Sequence, residues 1–138
     1  MADTIRKVDY FSMAISNRSG AALHVLDTLR DAGVNLLAFT GFPNGRQAQI
    51  DLIPERTPTL NKAARAAGLK LSAKKTGFLV QGKDRPGAVA SVLKKLAAEK
   101  INVTAVDAAC AGAGRYAALL WVKPAMVRKA AKVLHVKK

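Results

Sequence analysis

The chain has 138 residues, half of them apolar, and 23 Lys and Arg against 9 Asp and Glu give a formal net charge of +14. The apolar share excludes a disordered chain, no apolar run approaches the roughly 20 residues that span a bilayer, and one cysteine, Cys110, excludes an internal disulfide. Residues 1–76 carry 11 basic and 6 acidic side chains and residues 77–138 carry 12 and 3, a surplus that attracts polyanions but argues about solubility and encounter, not fold.

The opening run from Met1 to Lys7 lacks the apolar core of a signal peptide. With the lone cysteine, this points to a soluble cytoplasmic protein. Tyr10 to Ile15 reads as a first strand. Asn17 stands as a helix cap, and Ala22, Leu23, Leu26 and Leu29 then recur at the three- and four-residue spacing of one helix face. Gly33 ends that helix as a left-handed residue. Leu36 to Phe39 is a second strand, and Pro43-Asn44-Gly45 a hairpin turn. In the third strand Ala48, Ile50 and Leu52 alternate with Gln49 and Asp51, which predicts one face turned to water. Pro54 and Pro58 bracket a loop. Leu60, Ala63, Ala64 and Ala67 form a short helix stopped by Gly68, and Leu69 to Ser72 a fourth strand.

The order then starts again. Phe78 to Gln81 is a strand, followed by Gly82-Lys83-Asp84-Arg85-Pro86-Gly87-Ala88 and by a helix burying Val89, Val92, Leu93 and Leu96. Asp84 is the expected cap, Pro86 suits a first helical turn that needs no N–H there, and Gly87 lets a backbone or ligand come close. Free N–H groups and the positive dipole end make such a corner suitable for a small anion. Val103 to Ala109 and Tyr116 to Val122 are strands joined by Gly112-Ala113-Gly114. Pro124 opens a short helix through Met126, Val127, Ala130 and Ala131, and Val133 to Val136 closes the unit as a strand.

A shift of 67 residues lays Asn17-Arg18-Ser19-Gly20-Ala21 on Asp84-Arg85-Pro86-Gly87-Ala88, Phe11 on Phe78, Val25 on Val92 and Leu29 on Leu96. One unit is therefore written twice. The expected architecture is α+β: two tandem βαββαβ ferredoxin-like units, 8–75 and 76–138, each an antiparallel sheet with two helices on one face.

The element order, the Asp84-Arg85-Pro86-Gly87 loop before the first helix and the Asn of Ile101-Asn102-Val103 entering the second strand together resemble the ACT family of small regulatory domains. The likeness covers about residues 8 to 136. The first copy departs from the pattern with Ser19 in place of proline and Asn17 in place of aspartate. The resemblance implies a non-catalytic regulatory module that binds a small amino acid at the interface between ACT-like domains and signals to a partner protein, with a homodimer as a further implied partnership. It points to Asp84, Arg85, Pro86, Gly87, Ala88 and Asn102 as the ligand site. The corresponding residues of the first copy are Asn17, Arg18, Ser19, Gly20, Ala21 and Asn35. Backbone N–H groups near Gly87 and Ala88 would hold the carboxylate, while either asparagine offers donors and acceptors. The bland alternative is that Asp84 and Asn17 only cap helices and the glycines only permit a turn.

Other chemistries have fewer parts. Gly112-Ala113-Gly114-Arg115-Tyr116-Ala117 has the spacing of a dinucleotide fingerprint, but an apolar strand rather than a helix follows it. His24 and His135 are far apart in sequence, so no metal or cofactor is expected, and no nucleophile system or repeated carboxylate pair is visible. Trp121 is expected to pack under a helix. A nucleic-acid-binding ferredoxin-like module is the alternative function, since element order and charge suit it, but the third strands lack the exposed aromatic motif it needs. A small acylphosphatase-like enzyme would have to use Arg85 with Asn102.

Overall fold

The structure, a computed structural model, describes residues 3–136. Among them run β1 (Thr4–Ser16), α1 (Ala21–Asp31), β2 (Leu36–Asn44), β3 (Gln47–Pro54), α2 (Thr57–Ala67), β4 (Lys75–Lys83), α3 (Ala88–Ala98), β5 (Val103–Gly112), β6 (Arg115–Val122) and, after a 3-10 turn at Pro124–Met126, α4 (Val127–Val133). The fold is α+β, two tandem ferredoxin-like units with antiparallel sheets. Chain contacts group Asp9–Lys75 as one unit, and 76–138 together with 1–8 as the other. Met1, Ala2, Lys137 and Lys138 lie outside the described residues.

In the Asp9–Lys75 unit the strand order is β2-β3-β1. Phe11, Val25, Leu29, Ile50, Leu52 and Leu60 close into its core, so the sheet's alternate residues meet the apolar stripes of α1 and α2. Gly33, at a φ of 76°, lets Val34 donate back to the Leu29 carbonyl at 2.9 Å and ends α1 as expected. Leu23 departs from the expected helix face and is 60% exposed, because the buried stripe runs through Val25 and Leu29.

The other unit has the order β1-β4-β6-β5. Its core joins Ile5, Phe78, Val80, Val92, Leu96, Leu120 and Ala130. The repeat therefore reproduces core positions: Phe11 and Phe78, Val25 and Val92, Leu29 and Leu96 fill the same places in the two units.

Five points differ from the sequence reading. Leu69 to Ser72 is not a regular strand, although Ser72 donates to the Ser12 carbonyl at 2.9 Å and keeps the segment beside β1. Val133 to Val136 is no strand either. Residue 133 ends α4, and His135 at a φ of 54° turns the chain. The leading half of β1, which the sequence reading left without a role, is grouped with this unit instead. Asp51 is buried rather than turned to water: its carboxylate accepts from Ser12 Oγ at 2.9 Å, Gln49 Nε2 at 3.1 Å and Thr40 Oγ1 at 3.1 Å. Ser12 and Thr40 are its cross-strand neighbours in β1 and β2, so the sheet supplies the donors that a buried carboxylate requires. Finally, Trp121 is buried but alternates with Leu120 and Val122, which face the helices. It therefore lies on the opposite side of β6 and not under a helix.

Candidate functional site

Each unit turns from the strand before its first helix into that helix at the repeated corner. After β4, the Asp84 N–H donates to the Gly114 carbonyl at 2.8 Å, which fixes the corner against the β5–β6 hairpin. Ala88 N–H donates to Arg85 at 3.2 Å, and Gly87 takes the left-handed φ of 77° at the cap position of α3. After β1, Ala21 donates to Arg18 at 3.2 Å and Gly20 has a φ of 85° at the cap of α1. Neither helix has a side-chain cap, so Asp84 and Asn17 do not cap. The intervening turn closes on itself and places each of them upstream of the first helical N–H groups. Pro86 lies in that turn, before the helix begins, and the Ala88 N–H expected to be open is occupied by Arg85.

What remains open is one residue further on. Helix geometry leaves the N–H groups of Val89 and Ala90 without a carbonyl one turn back. Both residues line a cleft of about 300 Å³, bounded on the corner side by Asp84 and Arg85 and on the sheet side by Cys110 and Tyr116. A cleft of about 250 Å³ occupies the same place in the Asp9–Lys75 unit, bounded by Asn17, Arg18 and Ala22 on one side and by Phe39, Phe42 and Ala48 on the other.

Strand register makes the two clefts equivalent. Cys110 opposes Tyr116 as Pro43 opposes Ala48, and Ala109 opposes Ala117 as Phe42 opposes Gln49. Of the residues singled out in the sequence, the structure brings Asp84, Arg85, Gly87 and Ala88 to one cleft, and Asn17 and Arg18 to the other. Pro86, Ser19, Gly20 and Ala21 shape the corners without lining the clefts. Asn102 and Asn35 line neither. Asn35 donates to Glu55 Oε2 at 3.3 Å, beside the start of β2. The Arg85–Asn102 pair needed for an acylphosphatase-like site is therefore not assembled in the cleft.

The electrostatics of the larger cleft follow from four side chains. Arg85 reaches Asp3 Oδ1 at 3.3 Å and the Lys83 carbonyl at 2.8 Å, with its guanidinium carbon 6.0 Å from the centre of the Tyr116 ring. The bond to Asp3 raises the Arg85 pKa further, so the guanidinium stays charged but largely neutralised. Tyr116 is buried, and its hydroxyl lacks a hydrogen bond of good geometry among the described residues. Burial first, then the proximity of Asp3, pushes that hydroxyl up to about 12. The Cys110 thiol donates to Asp84 Oδ2 at 3.2 Å, and this bond with the carboxylate charge raises the thiol pKa. A protonated thiol is a poor nucleophile. The cleft thus presents a carboxylate, a guanidinium, a phenol and a thiol.

Tyr116 and Cys110 were missed as site residues because a cleft formed across a hairpin is invisible to a motif search. The signal was their position on the two strands flanking the Gly112–Gly114 turn. That turn is a two-residue loop, with Ala113 at a φ of 53° and Gly114 at 71°, so the hairpin replaces any dinucleotide fingerprint. Among the described residues no group of metal-ligating side chains assembles, and no helix is long and apolar enough to cross a membrane.

No family model matches the sequence, and no curated protein matches it. Solved structures do match in fold. Protein BT0572 from Bacteroides thetaiotaomicron superposes with a TM-score of 0.77 at 20% identity, over 96% of this chain and 88% of that one. The ligand-free regulatory subunit of aspartate kinase from Thermus thermophilus gives 0.67 at 12% identity, over 98% and 95%. The regulatory subunit from Thermus flavus gives 0.61 at 14% identity, over 97% and 94%. The chain is thus similar in fold to these regulatory subunits, as a tandem pair of ferredoxin-like units.

Proposed function

We propose that the protein is a non-catalytic regulatory module that binds a small amino acid beside a strand-to-helix corner and conveys that occupancy to a partner protein. The observation that carries this reading is the recurrence of one cleft, at matching positions of both units, each lined by an arginine and by the first turn of the helix that follows it. A random surface hollow has no reason to recur at the same register. The clefts lie at the small end of ligand-pocket sizes, suited to a small molecule rather than a nucleotide. The fold is shared with regulatory subunits of aspartate kinase, which supports a regulatory rather than catalytic role. Bound ligand influences a partner only so far as it favours one conformational state over another.

Titration calorimetry of the intact chain against each standard amino acid tests the proposal. Saturable heat with at least one of them is the expected result. Heat from none, with circular dichroism showing folded protein, removes the amino-acid-binding function and leaves the corners as structural turns.

A further inference from the structure

The two clefts share a frame but differ in chemistry. Arg85 is engaged by Asp3, whereas Arg18 makes no ion pair and no side-chain hydrogen bond among the described residues. The position 67 residues on from Asp3 is Lys70, so the repeat offers Arg18 no matching acid. Asp84 is replaced by Asn17, and Arg18 is the sole charged side chain lining its cleft. On the sheet side, Tyr116 gives way to Ala48, while Phe39, on the same face of β2 as Gly41, supplies a ring. Phe39 is 37% exposed, although it stands on the face of the sheet that holds the buried Leu52 and Ile50. Gly41 holds the space beside Phe39 open: a Cβ there would lie 3.5 Å from Ile50 Cγ2 and 3.8 Å from Phe39 Cε2.

We infer that the cleft of the Asp9–Lys75 unit takes an α-amino acid with a branched or aromatic side chain, its carboxylate on Arg18 and its side chain against Phe39 and Ile50. This rests on the amino-acid reading above and assigns it to the copy whose motif is the weaker in sequence. An unpaired guanidinium matches a carboxylate by paired charge-assisted bonds. Ser16 and Asn17 line the same cleft with side-chain oxygens that accept from an ammonium group. With Asn17 instead of an aspartate, the cleft has no carboxylate to repel that of the ligand. Its apolar wall favours larger side chains in proportion to the area they bury.

The test is calorimetry of the full chain with phenylalanine, leucine, alanine, lysine and phenethylamine. It is repeated on Arg18→Gln, on Gly41→Val, and on Lys62→Gln as a control for charge elsewhere in the unit. Gly41 lies in β2 without a positive φ, so valine suits its backbone and fills the space beside Phe39. Phenylalanine or leucine is expected to bind at least about tenfold more tightly than alanine or lysine. Phenethylamine, lacking the carboxylate, is expected to give no saturable heat. Arg18→Gln is expected to weaken binding about tenfold or more, Gly41→Val to weaken it as well, and Lys62→Gln to leave it unchanged. Binding confined to small polar or cationic amino acids, or indifferent to Arg18→Gln, overturns this assignment while leaving amino-acid binding intact. An absence of heat from every amino acid overturns both.

Discussion

Burial of the Tyr116 hydroxyl next to Asp3 has a direct consequence for titration. The folded pKa, about 12, exceeds the ordinary phenol value of 10. The protonated phenol therefore contributes stability that is fully present below pH 10 and lost as pH rises through 12. Tyr10, the only other tyrosine, is also shifted up, by burial and by the Asp51 charge. Spectrophotometric titration of the native protein should show both phenols ionising late, with the latest step missing in Tyr116→Phe. The neighbouring thiol gives a second test at this scale. Asp84 accepts the Cys110 proton and raises the thiol pKa, so Asp84→Asn should speed alkylation of Cys110 at neutral pH. An unchanged rate would mean that the bond has no effect on the thiol. Gly82 is a third such position, because a methyl group there would meet the Asp3 carboxylate and come within 3.1 Å of the Tyr116 ring. Gly82→Ala should cost roughly 1–3 kcal/mol by crowding the site, read as a lower urea midpoint. None of these contacts was legible in the sequence, since Asp3, Gly82 and Tyr116 are joined only by pairing of strands far apart in the chain.

At the scale of elements, the corners and cores were largely legible and the strand ends were not. Helical spacing located α1 and α3, and the offset of 67 residues matched Phe11 to Phe78 and Leu29 to Leu96, each pair buried in its own core. Phe78 is fully buried, so Phe78→Ala should cost about 3–5 kcal/mol. Phe11→Ala should act alike in the other unit, and chemical denaturation can compare the two. Capping failed as an inference because Asn17 and Asp84 have the right chemistry but sit one turn too early. The left-handed Gly20 and Gly87 take the cap positions instead. Open space surrounds a Cβ at Gly87, which makes the backbone conformation the sole cost of Gly87→Ala, about 1 kcal/mol. Leu69 to Ser72 and Val133 to Val136 carry the alternation or β-branching of strands. Yet propensity does not decide pairing, and neither becomes a regular strand.

At the scale of the whole molecule, the repeat described the units but not where the chain passes between them. β1 is an unbroken strand of 13 residues, and its leading half belongs with 76–138 while its trailing half belongs with Asp9–Lys75. The sequence reading starts the strand at Tyr10, and periodicity carries no information about which core the residues before it serve. Ile5 shows the outcome, closing over Phe78 and Val92 rather than over Phe11. Its removal, as Ile5→Ala, should therefore weaken the unit containing Phe78. Hydrogen exchange should report faster opening in α3 and β6 than in α1, the reverse of what proximity in sequence suggests.

The same arrangement has a meaning for synthesis on the ribosome. The inserted segment is finished at Lys75, whereas the strand half that precedes it must wait for its partners, which are roughly 60 residues and several seconds of translation away. An unpaired apolar edge left open for that long invites intermolecular pairing. Thr4-Ile5-Arg6-Lys7-Val8 places two exposed cations at its centre, where lysine and arginine act as gatekeepers against aggregation.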